Sequence, residues 1–372
     1  MPRIPRRRVA APTEPQDAPE AADIATPVES TEAASPAEAS PVTAPAGEAL
    51  EPAASPEDLA LLDRLFGHGG TAVDLAPLDG PHSGFVALIG QPNVGKSTLL
   101  NALVGEKVAI VSPRPQTTRR RILGMRSEGQ LQAVFIDTPG LHRPAHELGK
   151  SMVRAARQGI RDADVVVWVV DASRAPDAAD AVTAGRVKRG ARPVILALNK
   201  ADLLKPEDIS ARVEAFSALV DPADWVLTIA RSRHNVDLLW SIIARLLPAH
   251  AALYDADQLT DQSDRQFAAE LIREAALTHL QEEVPHGLEV QIEDWKTRED
   301  GLVQIGAKLF VERPGHKAIV IGKGGQMLKT IGTAARKEIE RALETRVFLE
   351  LFVTVKPHWR RSSVEVRRLG FD

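Results

Sequence analysis

Short apolar runs alternate with stretches of helical periodicity over residues 84–248. The apolar runs predict buried strands, and the amphipathic stretches predict helices. The predicted strands lie at residues 85–89, 131–136, 164–170, 193–198 and 225–230, and the predicted helices at 98–104, 148–160, 176–189, 206–219 and 236–247. This alternation implies a mainly parallel sheet covered on both faces, with a binding site at the carboxyl ends of its strands. The first folded domain is therefore of the α/β class and ends at Pro248.

A different order of elements follows a predicted linker at residues 249–262. Residues 263–356 start with a predicted helix to residue 280 and continue with strands near 288–295 and 302–310. The pattern is completed by a short helix at 316–321, a glycine-rich turn, a second helix to 343 and a strand at 346–355. This order predicts a smaller α+β domain, followed by a basic tail at 357–372.

Residues 1–83 lack this periodicity. They carry 5 basic and 14 acidic residues, and repeated Ala, Pro, Glu and Ser replace the apolar side chains that could offset chain entropy. We expect a disordered extension with one short helix at 57–66, where Leu59, Leu62 and Phe66 share a face. The cluster of arginines near its start is either part of a solvated tail or an anchor for RNA or lipid; its members are Arg3, Arg6, Arg7 and Arg8.

Composition removes several classes of function. The 372 residues include no cysteine, which excludes disulfide scaffolds, iron–sulfur clusters, Cys-ligated zinc and thiol catalysis. No run approaches the roughly 18 apolar residues of a membrane span, and no apolar segment follows the basic start. We therefore expect a soluble, cytoplasmic protein.

The segment from Gly90 to Ser97 lies between the first predicted strand and the first predicted helix. Backbone N–H groups at a helix N-terminus can surround an anion, and the helix dipole favours negative charge there. Gly90 and Gly95 let the chain pass close to phosphate, Lys96 adds a positive charge, and Ser97 offers a hydroxyl to magnesium. The predicted nucleotide-phosphate site consists of Gly90, Asn93, Val94, Gly95, Lys96, Ser97 and Thr98.

Two segments beside this loop are candidate switches. The strand at 131–136 ends at Asp137, whose carboxylate can hold magnesium through water, and the amide of Gly140 can reach a terminal phosphate. The loop up to residue 149 would be ordered by that phosphate and released without it. The segment at 111–121 is the second candidate, in which Thr118 is the predicted magnesium ligand and Thr117 the alternative.

The motif Asn199-Lys200-Ala201-Asp202 follows the predicted strand at 193–198. The carboxylate of Asp202 can accept hydrogen bonds from the N1–H and the exocyclic amine of guanine, whereas adenine lacks that pair of donors. A buried carboxylate without partners would be costly, so discrimination against ATP should be large. Asn199, Lys200 and Asp202 are therefore predicted to select GTP.

Gly322-Lys323-Gly324-Gly325 lies between two predicted helices of the second domain. Such a turn lets the backbone approach a sugar-phosphate chain closely. Lys323 and Lys329 are expected to meet phosphates. The expected apolar floor beneath the bases is formed by Ile319, Ile321, Met327, Leu328 and Ile331.

The charge distribution favours an RNA surface at this turn. Residues 263–312 carry 5 basic and 11 acidic groups, whereas residues 313–372 carry 13 basic and 6 acidic groups. Arg360 and Arg361 in the tail are expected to add phosphate contacts. Trp359 either stacks on a base or packs against the domain.

Residues 84–372 resemble the Era family of bacterial GTPases. The motifs that carry the resemblance are the phosphate loop, Gln116-Thr117-Thr118-Arg119, Asp137 to His142, Asn199 to Asp202, and Val320 to Gly325. The resemblance implies a P-loop GTPase domain followed by a type II KH domain, with GTP or GDP and Mg²⁺ bound. It also implies binding to ribosomal RNA of the small subunit, with contacts from Ile321, Gly322, Lys323, Gly324, Gly325 and Lys329.

Three positions bear on the mechanism that the resemblance implies. Leu141 stands where many regulatory GTPases carry a glutamine that orients water, so hydrolysis should be slow without a partner. Asn93 resembles an asparagine by which related GTPases hold K⁺; the alternative is that it only satisfies loop backbone groups. Ala230 can present its amide to the guanine carbonyl, although the residues around it, 229–233, depart from the usual family pattern.

The leading hypothesis is a GTP-hydrolysing factor in small-subunit assembly, in which Lys96, Thr118 and Gly140 position the phosphates and neutralise their charge. The alternative is a non-hydrolysing, nucleotide-gated RNA-binding module. We expect a monomer. Peripheral contact with the inner face of the cell membrane is a further hypothesis, based on the family resemblance and the basic ends of the chain.

Overall fold

The structure is a computed structural model that describes residues 79–140 and 144–371. Residues 1–78 of the predicted extension, with its short helix and arginine cluster, lie outside the described residues, and so does Leu141. The last two residues of the predicted extension, His82 and Ser83, belong to the first strand instead, and Ser83 is buried. No helix within the described ranges is long and apolar enough to cross a membrane.

The described part of the first domain is a six-stranded sheet with helices on both faces. Its elements are β1 (His82–Ile89), α1 (Lys96–Val104), β2 (Ile122–Glu128), β3 (Leu131–Asp137), α2 (Glu147–Asp162), β4 (Val165–Asp171), α3 (Ala178–Lys188), β5 (Val194–Asn199), α4 (Ile209–Val220), β6 (Asp224–Thr228) and α5 (Val236–Leu246). The strand order is β2-β3-β1-β4-β5-β6, in which β2 is antiparallel to β3 and the other pairs are parallel. The predicted mainly parallel α/β fold is confirmed.

The apolar pattern did not predict β2. Its last residues, Arg126 to Glu128, are polar, and the strand has a single neighbour at the edge of the sheet. Only its first four residues, Ile122 to Met125, are buried, and they include Gly124, so the apolar run was too short to indicate a strand. A Cβ atom added to Gly124 would lie 2.7 Å from Cδ1 of Leu100, so α1 packs closely on this strand.

The strands β1, β4 and β5 are the centre of the sheet. Their continuous apolar runs are buried on both faces, as expected for parallel strands between two layers of helices. One core cluster lies under α1 and α5, and the other lies under α2, α3 and α4. In the second cluster, Trp168 of β4 packs edge-on against Phe216 of α4 at a centroid distance of 5.8 Å. This packing fixes the strand ends that carry the predicted site.

The segment at 249–262 returns along the edge of the first domain. Ala249 bridges to His82, and Thr260 bridges to Gly124. The side chain of Gln132 accepts hydrogen bonds from the amides of Leu253 and Tyr254, at 2.7 and 2.9 Å. The predicted linker is therefore bonded to the sheet over most of its length.

The second domain has an α+β arrangement. Its elements are α6 (Asp264–His279), β7 (Glu289–Thr297), β8 (Val303–Val311), α7 (Pro314–Ile321), α8 (Gln326–Leu343) and β9 (Val347–Val355). The strand order is β7-β8-β9, with β7 antiparallel and β9 parallel to β8. A single core cluster joins α6 and α8 to one face of this sheet. This order of elements is the one that the sequence predicts.

The C-terminal segment differs from the predicted basic tail. It forms a short turn at Trp359–Arg361 and a helix α9 (Ser363–Arg368). Trp359 is fully buried and donates a hydrogen bond from Nε1 to the carbonyl of Gly287 at 2.9 Å. It packs among residues of α2, β8 and the tail itself: Leu148, Met152, Phe310, Val366, Leu369 and Phe371. The prediction that Trp359 stacks on RNA is therefore wrong, and the packing alternative is correct.

Candidate functional site

The phosphate loop joins β1 to α1 and lies tightly against neighbouring strands. A Cβ atom at Gly90 would lie 2.2 Å from the carbonyl oxygen of Val169 in β4. A Cβ atom at Gly95 would lie 2.3 Å from Nδ2 of Asn199, and Gly95 has a left-handed φ of +97°. Because these distances are shorter than atomic contacts allow, both positions require glycine. The loop backbone is thus fixed close to the ends of β4 and β5.

Lys96 is buried at the first position of α1. Its Nζ donates to the carbonyl of Gln91 at 2.7 Å and to that of Gly90 at 3.3 Å. Burial lowers the pKa of Lys96 to about 8, although the nearby carboxylate of Asp137 acts in the opposite direction. The ammonium group is therefore held within the loop, and a phosphate group would replace part of its lost hydration.

The three predicted magnesium ligands meet beside Lys96. The hydroxyl of Ser97 donates to Oδ2 of Asp137 at 2.6 Å and lies 2.8 Å from the hydroxyl of Thr118. The distance from the Thr118 hydroxyl to Oδ2 is 3.2 Å. Oδ1 of Asp137 is buried and has no hydrogen-bond partner among the described residues. Two hydroxyls and an unpaired carboxylate oxygen are a donor set that fits Mg²⁺.

Burial raises the pKa of the Asp137 carboxyl above its usual range, and Lys96 together with the two hydroxyls opposes that shift. A divalent cation at the same place would favour the ionised form strongly, because its charge outweighs the loss of hydration. We therefore expect the carboxyl of Asp137 to be ionised when a metal ion is bound.

The two threonines of the first switch have different surroundings. Thr117 donates its hydroxyl to the carbonyl of Arg114 at 2.7 Å within the switch itself. Thr118 is buried and its hydroxyl points to Ser97 and Asp137. Thr118, and not the alternative Thr117, therefore lies beside the other two predicted magnesium ligands.

Asn93 connects the phosphate loop to the first switch. Its Nδ2 donates to the backbone carbonyl of Pro113 at 2.8 Å. This contact agrees with the second role predicted for Asn93, in which its side chain satisfies a backbone group of a neighbouring loop.

On the other side of the phosphate loop, a Cβ atom at Gly140 would lie 2.7 Å from the backbone nitrogen of Pro92. Both switches therefore touch the phosphate loop directly.

The base-selecting motif begins at the last residue of β5. Asn199 is buried, Lys200 adopts a left-handed φ of +62°, and Asp202 lies half-buried in the short turn that follows. Nζ of Lys200 pairs with Asp171 of β4 at 2.7 Å. The left-handed residue turns the chain so that Asp202 leaves the sheet at its carboxyl edge.

One expectation at the base pocket needs correction. The amide of Ala230, predicted to face the guanine carbonyl, donates to Oδ1 of Asn199 at 3.0 Å in the structure. Because Asn199 is buried, its acceptor oxygen requires a partner, and the loop after β6 supplies it. Ala230 therefore holds Asn199 in place rather than presenting a free donor.

The glycine turn of the second domain lies between α7 and α8. Gly322, Gly324 and Gly325 all have positive φ angles, of 73°, 57° and 78°. A Cβ atom at Gly322 would lie 2.7 Å from Cβ of Met327, whereas nothing lies within 4 Å at the other two positions. Gly322 is therefore required by packing, while Gly324 and Gly325 leave their outer surface open to a ligand backbone. Lys323 and Lys329 are exposed beside it.

An open groove of about 390 Å³ runs from this turn between α8 and β9. Its lining combines an apolar floor with a basic rim and consists of Gly325, Leu328, Lys329, Gly332, Thr333, Arg336, Val347, Phe348, Leu349 and Leu351. Sequence reasoning missed Arg336 and the β9 residues. The helical spacing from Lys329 to Thr333 and Arg336 was a usable signal, but nothing local indicated that β9 forms the opposite wall.

The predicted apolar floor is partly wrong. Ile331 is fully buried in the core of the second domain and cannot reach a base. Ile321 and Met327 are half-buried and pack against that core, whereas Ile319 is exposed and lies outside the groove. The floor is supplied instead by Leu328 with residues of β9.

Two family models match separate parts of the chain. The model described as 50S ribosome-binding GTPase matches residues 85–200, and the model described as KH domain matches residues 283–360. The first match covers the phosphate loop and ends within the guanine motif, at Lys200, and the second covers the glycine turn with its groove.

Curated relatives match almost over their whole length. GTPase Era of Ruminiclostridium cellulolyticum is 44% identical over 289 residues, which is 78% of this chain and 97% of that protein. GTPase Era of Heliobacterium modesticaldum is 42% identical over 290 residues, again 78% and 97%.

Solved structures agree with these relatives. The crystal structure of Era in complex with MgGDPNP and nucleotides 1506–1542 of 16S ribosomal RNA has a TM-score of 0.76 and 37% identity, covering 78% of this chain and 99% of that chain. A variant of Aquifex aeolicus Era bound to GDP.AlF4- has a TM-score of 0.75 at the same identity and coverage.

The phosphate loop, the guanine motif after β5 and the glycine turn of the second domain define a P-loop GTPase joined to a KH domain. Such a protein converts GTP to GDP and phosphate. At 44% identity over nearly the whole of a curated relative, the chain belongs to the Era family of GTPases. The predicted family, fold class and GTPase activity are confirmed.

Proposed function

We propose that this GTPase binds small-subunit ribosomal RNA through its KH domain and acts in assembly of the small ribosomal subunit. The observation that carries the proposal is the open groove beside Gly324 and Gly325, with an apolar floor and a rim formed by Lys329 and Arg336. A related Era, 37% identical to this chain, has been crystallised with nucleotides 1506–1542 of 16S ribosomal RNA. Single-stranded RNA requires this combination of apolar contact for bases and positive charge for phosphates.

In this proposal the phosphate loop holds the phosphates of GTP or GDP. Backbone amides from Gly90 to Thr98 surround them, and the ammonium group of Lys96 lies against the terminal phosphates. Ser97, Thr118 and Asp137 hold Mg²⁺, which neutralises phosphate charge when bound. The amide of Gly140 donates to the terminal phosphate. Catalysis by Lys96, Thr118 and Gly140 consists of positioning and charge stabilisation.

Guanine selection is assigned to the end of β5. Asp202 accepts the two guanine donors, Lys200 covers the base, and Asn199 holds the loop in place through Val94 and Ala230. Adenine lacks the donor pair and leaves Asp202 without partners, so GTP is favoured over ATP.

Potassium is assigned to Asn93. Its Nδ2 donates to the carbonyl of Pro113, which leaves Oδ1 as the side-chain atom assigned to hold a monovalent cation next to the phosphates. Turnover that is several-fold faster in KCl than in NaCl supports this assignment, and equal rates in both salts contradict it.

We further propose a cytoplasmic monomer that makes peripheral contact with the inner face of the cell membrane. Sedimentation of the full chain tests the oligomeric state. Flotation with anionic vesicles tests the membrane contact, and absence of the protein from the vesicle fraction contradicts it.

The decisive experiment is competition of GTP against ATP for the purified full chain, with and without small ribosomal subunits. We expect GTP to displace the labelled nucleotide at concentrations that leave ATP without effect. The variant Lys96→Ala then tests whether hydrolysis takes place at this site. Its GTP turnover in the presence of small ribosomal subunits should fall by orders of magnitude. Unchanged turnover in that variant would contradict the assigned role of Lys96 in hydrolysis.

A further inference from the structure

The first switch, residues 111–121, is held at both ends by the helix α6 of the KH domain. Near its end, Nη2 of Arg273 donates to the backbone carbonyl of Thr117 at 2.5 Å. At its start, the amide of Val111 donates to Oε1 of Glu274 at 2.9 Å. Both bonds go to the backbone of the switch, so they constrain its path rather than the identity of its side chains.

Arg273 is fixed before it reaches the switch. Its side chain is 1% exposed and forms a two-point contact with the carboxylate of Glu270, one turn earlier on α6. Because the guanidinium is already held by the carboxylate, it loses little conformational entropy when it also donates to a third acceptor. That acceptor is the carbonyl of the peptide between Thr117 and Thr118. Fixing this peptide plane sets the position of the Thr118 hydroxyl, which lies 2.8 Å from Ser97.

Glu274 acts at the other end of the same segment. Its second oxygen pairs with Lys107 at 2.6 Å, and Lys107 also pairs with Glu338 of α8 at 3.1 Å. Lys107 lies just after α1, so the carboxylate connects the start of the switch to both long helices of the KH domain. The ion pair itself is partly exposed and contributes little, whereas the hydrogen bond from the Val111 amide is the directional contact.

We propose that Arg273 and Glu274 are positioning residues for the GTP-bound state. The KH-domain helix α6 holds the first switch where Thr118 can serve the metal, and the preference for triphosphate over diphosphate depends on that contact. This inference rests on the proposed role of Thr118. GDP binding does not require Thr118, because that residue serves only the metal and terminal phosphate.

The main test replaces the buried ion pair with apolar side chains of similar length. In the variant Arg273→Met with Glu270→Met, no unpaired charge remains, and exchanges of this kind are often neutral for folding. We expect a normal unfolding midpoint and unchanged GDP affinity. Affinity for GDPNP with Mg²⁺ should fall about tenfold, since a hydrogen bond from a charged donor to the switch is lost. An equal loss for GDP and GDPNP would show a merely structural role and overturn the proposal.

A double-mutant cycle with Thr118→Ala separates this inference from the proposed function. Thr118→Ala should by itself reduce GDPNP affinity, and adding the Met pair should cause almost no further loss, because both changes remove one interaction. Full additivity overturns the positioning role while leaving Thr118 in its role. If Thr118→Ala leaves GDPNP affinity unchanged, the metal assignment fails and the inference fails with it.

Glu274 provides an independent arm with matched controls. Glu274→Ala removes the acceptor for Val111 and should lower GDPNP affinity several-fold. Glu274→Gln keeps an acceptor oxygen and should retain most of it. Lys107→Ala removes the ion pair but not the backbone bond and should behave like the parent protein. Equal losses in Glu274→Ala and Lys107→Ala would assign the effect to charge and contradict the positioning role.

Discussion

Nδ2 of Asn199 donates a hydrogen bond to the backbone carbonyl of Val94 at 2.8 Å. This bond joins the end of β5, where the base is selected, to the phosphate loop more than a hundred residues earlier. Oδ1 of the same side chain accepts from the hydroxyl of Thr228 and the amide of Ala230, at 3.2 and 3.0 Å. One buried amide therefore positions three segments of the nucleotide site.

Asn199→Ala should weaken GDP and GTP binding together. The change leaves the carbonyl of Val94 and the amide of Ala230 without their partner, which costs about 2 kcal/mol or more and lowers affinity about 30-fold. Titration calorimetry with both nucleotides measures this. Ser232→Ala, on the exposed part of the same loop, is the control and should bind normally. A loss confined to GTP would contradict the structural role of Asn199.

Gly95→Ala should prevent nucleotide binding and lower stability. Its new Cβ atom would meet Nδ2 of Asn199 at 2.3 Å, and φ is +97°. Gly129→Ala is the matched control, because Gly129 has a positive φ of +60° but nothing within 4 Å of the added atom. The control should lose only about 1 kcal/mol from backbone strain. Chemical denaturation compares the two variants, and equal losses would refute the steric explanation.

Nucleotide binding should become coupled to proton uptake in alkaline solution. Burial lowers the pKa of Lys96 to about 8, so the free protein loses this proton above that pH, whereas bound phosphate requires the charged form. Binding should take up about 0.1 proton at pH 7 and about 0.9 proton at pH 9. Above pH 9, nucleotide affinity should fall by close to tenfold for each pH unit. Calorimetry in buffers of different ionisation enthalpy gives the number directly.

The variant Lys96→Arg should remove this proton uptake, because a guanidinium keeps its charge throughout the range. If uptake at pH 9 is the same in that variant and in the parent, the proton belongs to another group.

Charge reversal in the groove should weaken RNA binding across sequences. Lys329→Glu with Arg336→Glu removes two rim contacts, and the dependence of log affinity on log salt should decrease by about 1.4 for single-stranded RNA. Filter binding at several salt concentrations measures this slope, and GDP affinity should not change. Arg341→Glu is the control on the same helix, since its side chain is 76% exposed and pairs with Glu338 outside the groove. Equal effects in both variants would place the RNA elsewhere.

Trp359→Ala should reduce stability by about 3–5 kcal/mol, because a fully buried indole and its bond to Gly287 are lost. Thermal unfolding of the full chain measures the change. Phe352→Ala is the comparison, since that aromatic side chain is 55% exposed and should be nearly neutral for stability. A stable Trp359→Ala protein with weakened RNA binding would restore the stacking alternative.

The sequence alone determined most of the elements and the principal chemistry. Central strands such as β4 and β5 are buried on both faces, so their apolar runs are continuous and visible. The phosphate loop and the guanine motif are contiguous in the chain, and each contains the residues that its chemistry needs. Local pattern was sufficient because each of these features is formed within a few residues.

Only the tertiary structure decided the features that depend on distant contacts. It showed that the hydroxyl of Thr117 bonds within its own segment and that the amide of Ala230 donates to Asn199. It also showed that Trp359 is buried at the junction between the domains. The β9 wall of the groove also depends on residues far apart in the chain, because β9 pairs in parallel with β8. The bond from Arg273 to the first switch spans 156 positions, so no local pattern could predict it. The physical reason is that burial and hydrogen-bond partners depend on contacts between segments that are distant in the chain. A local sequence pattern does not contain that information.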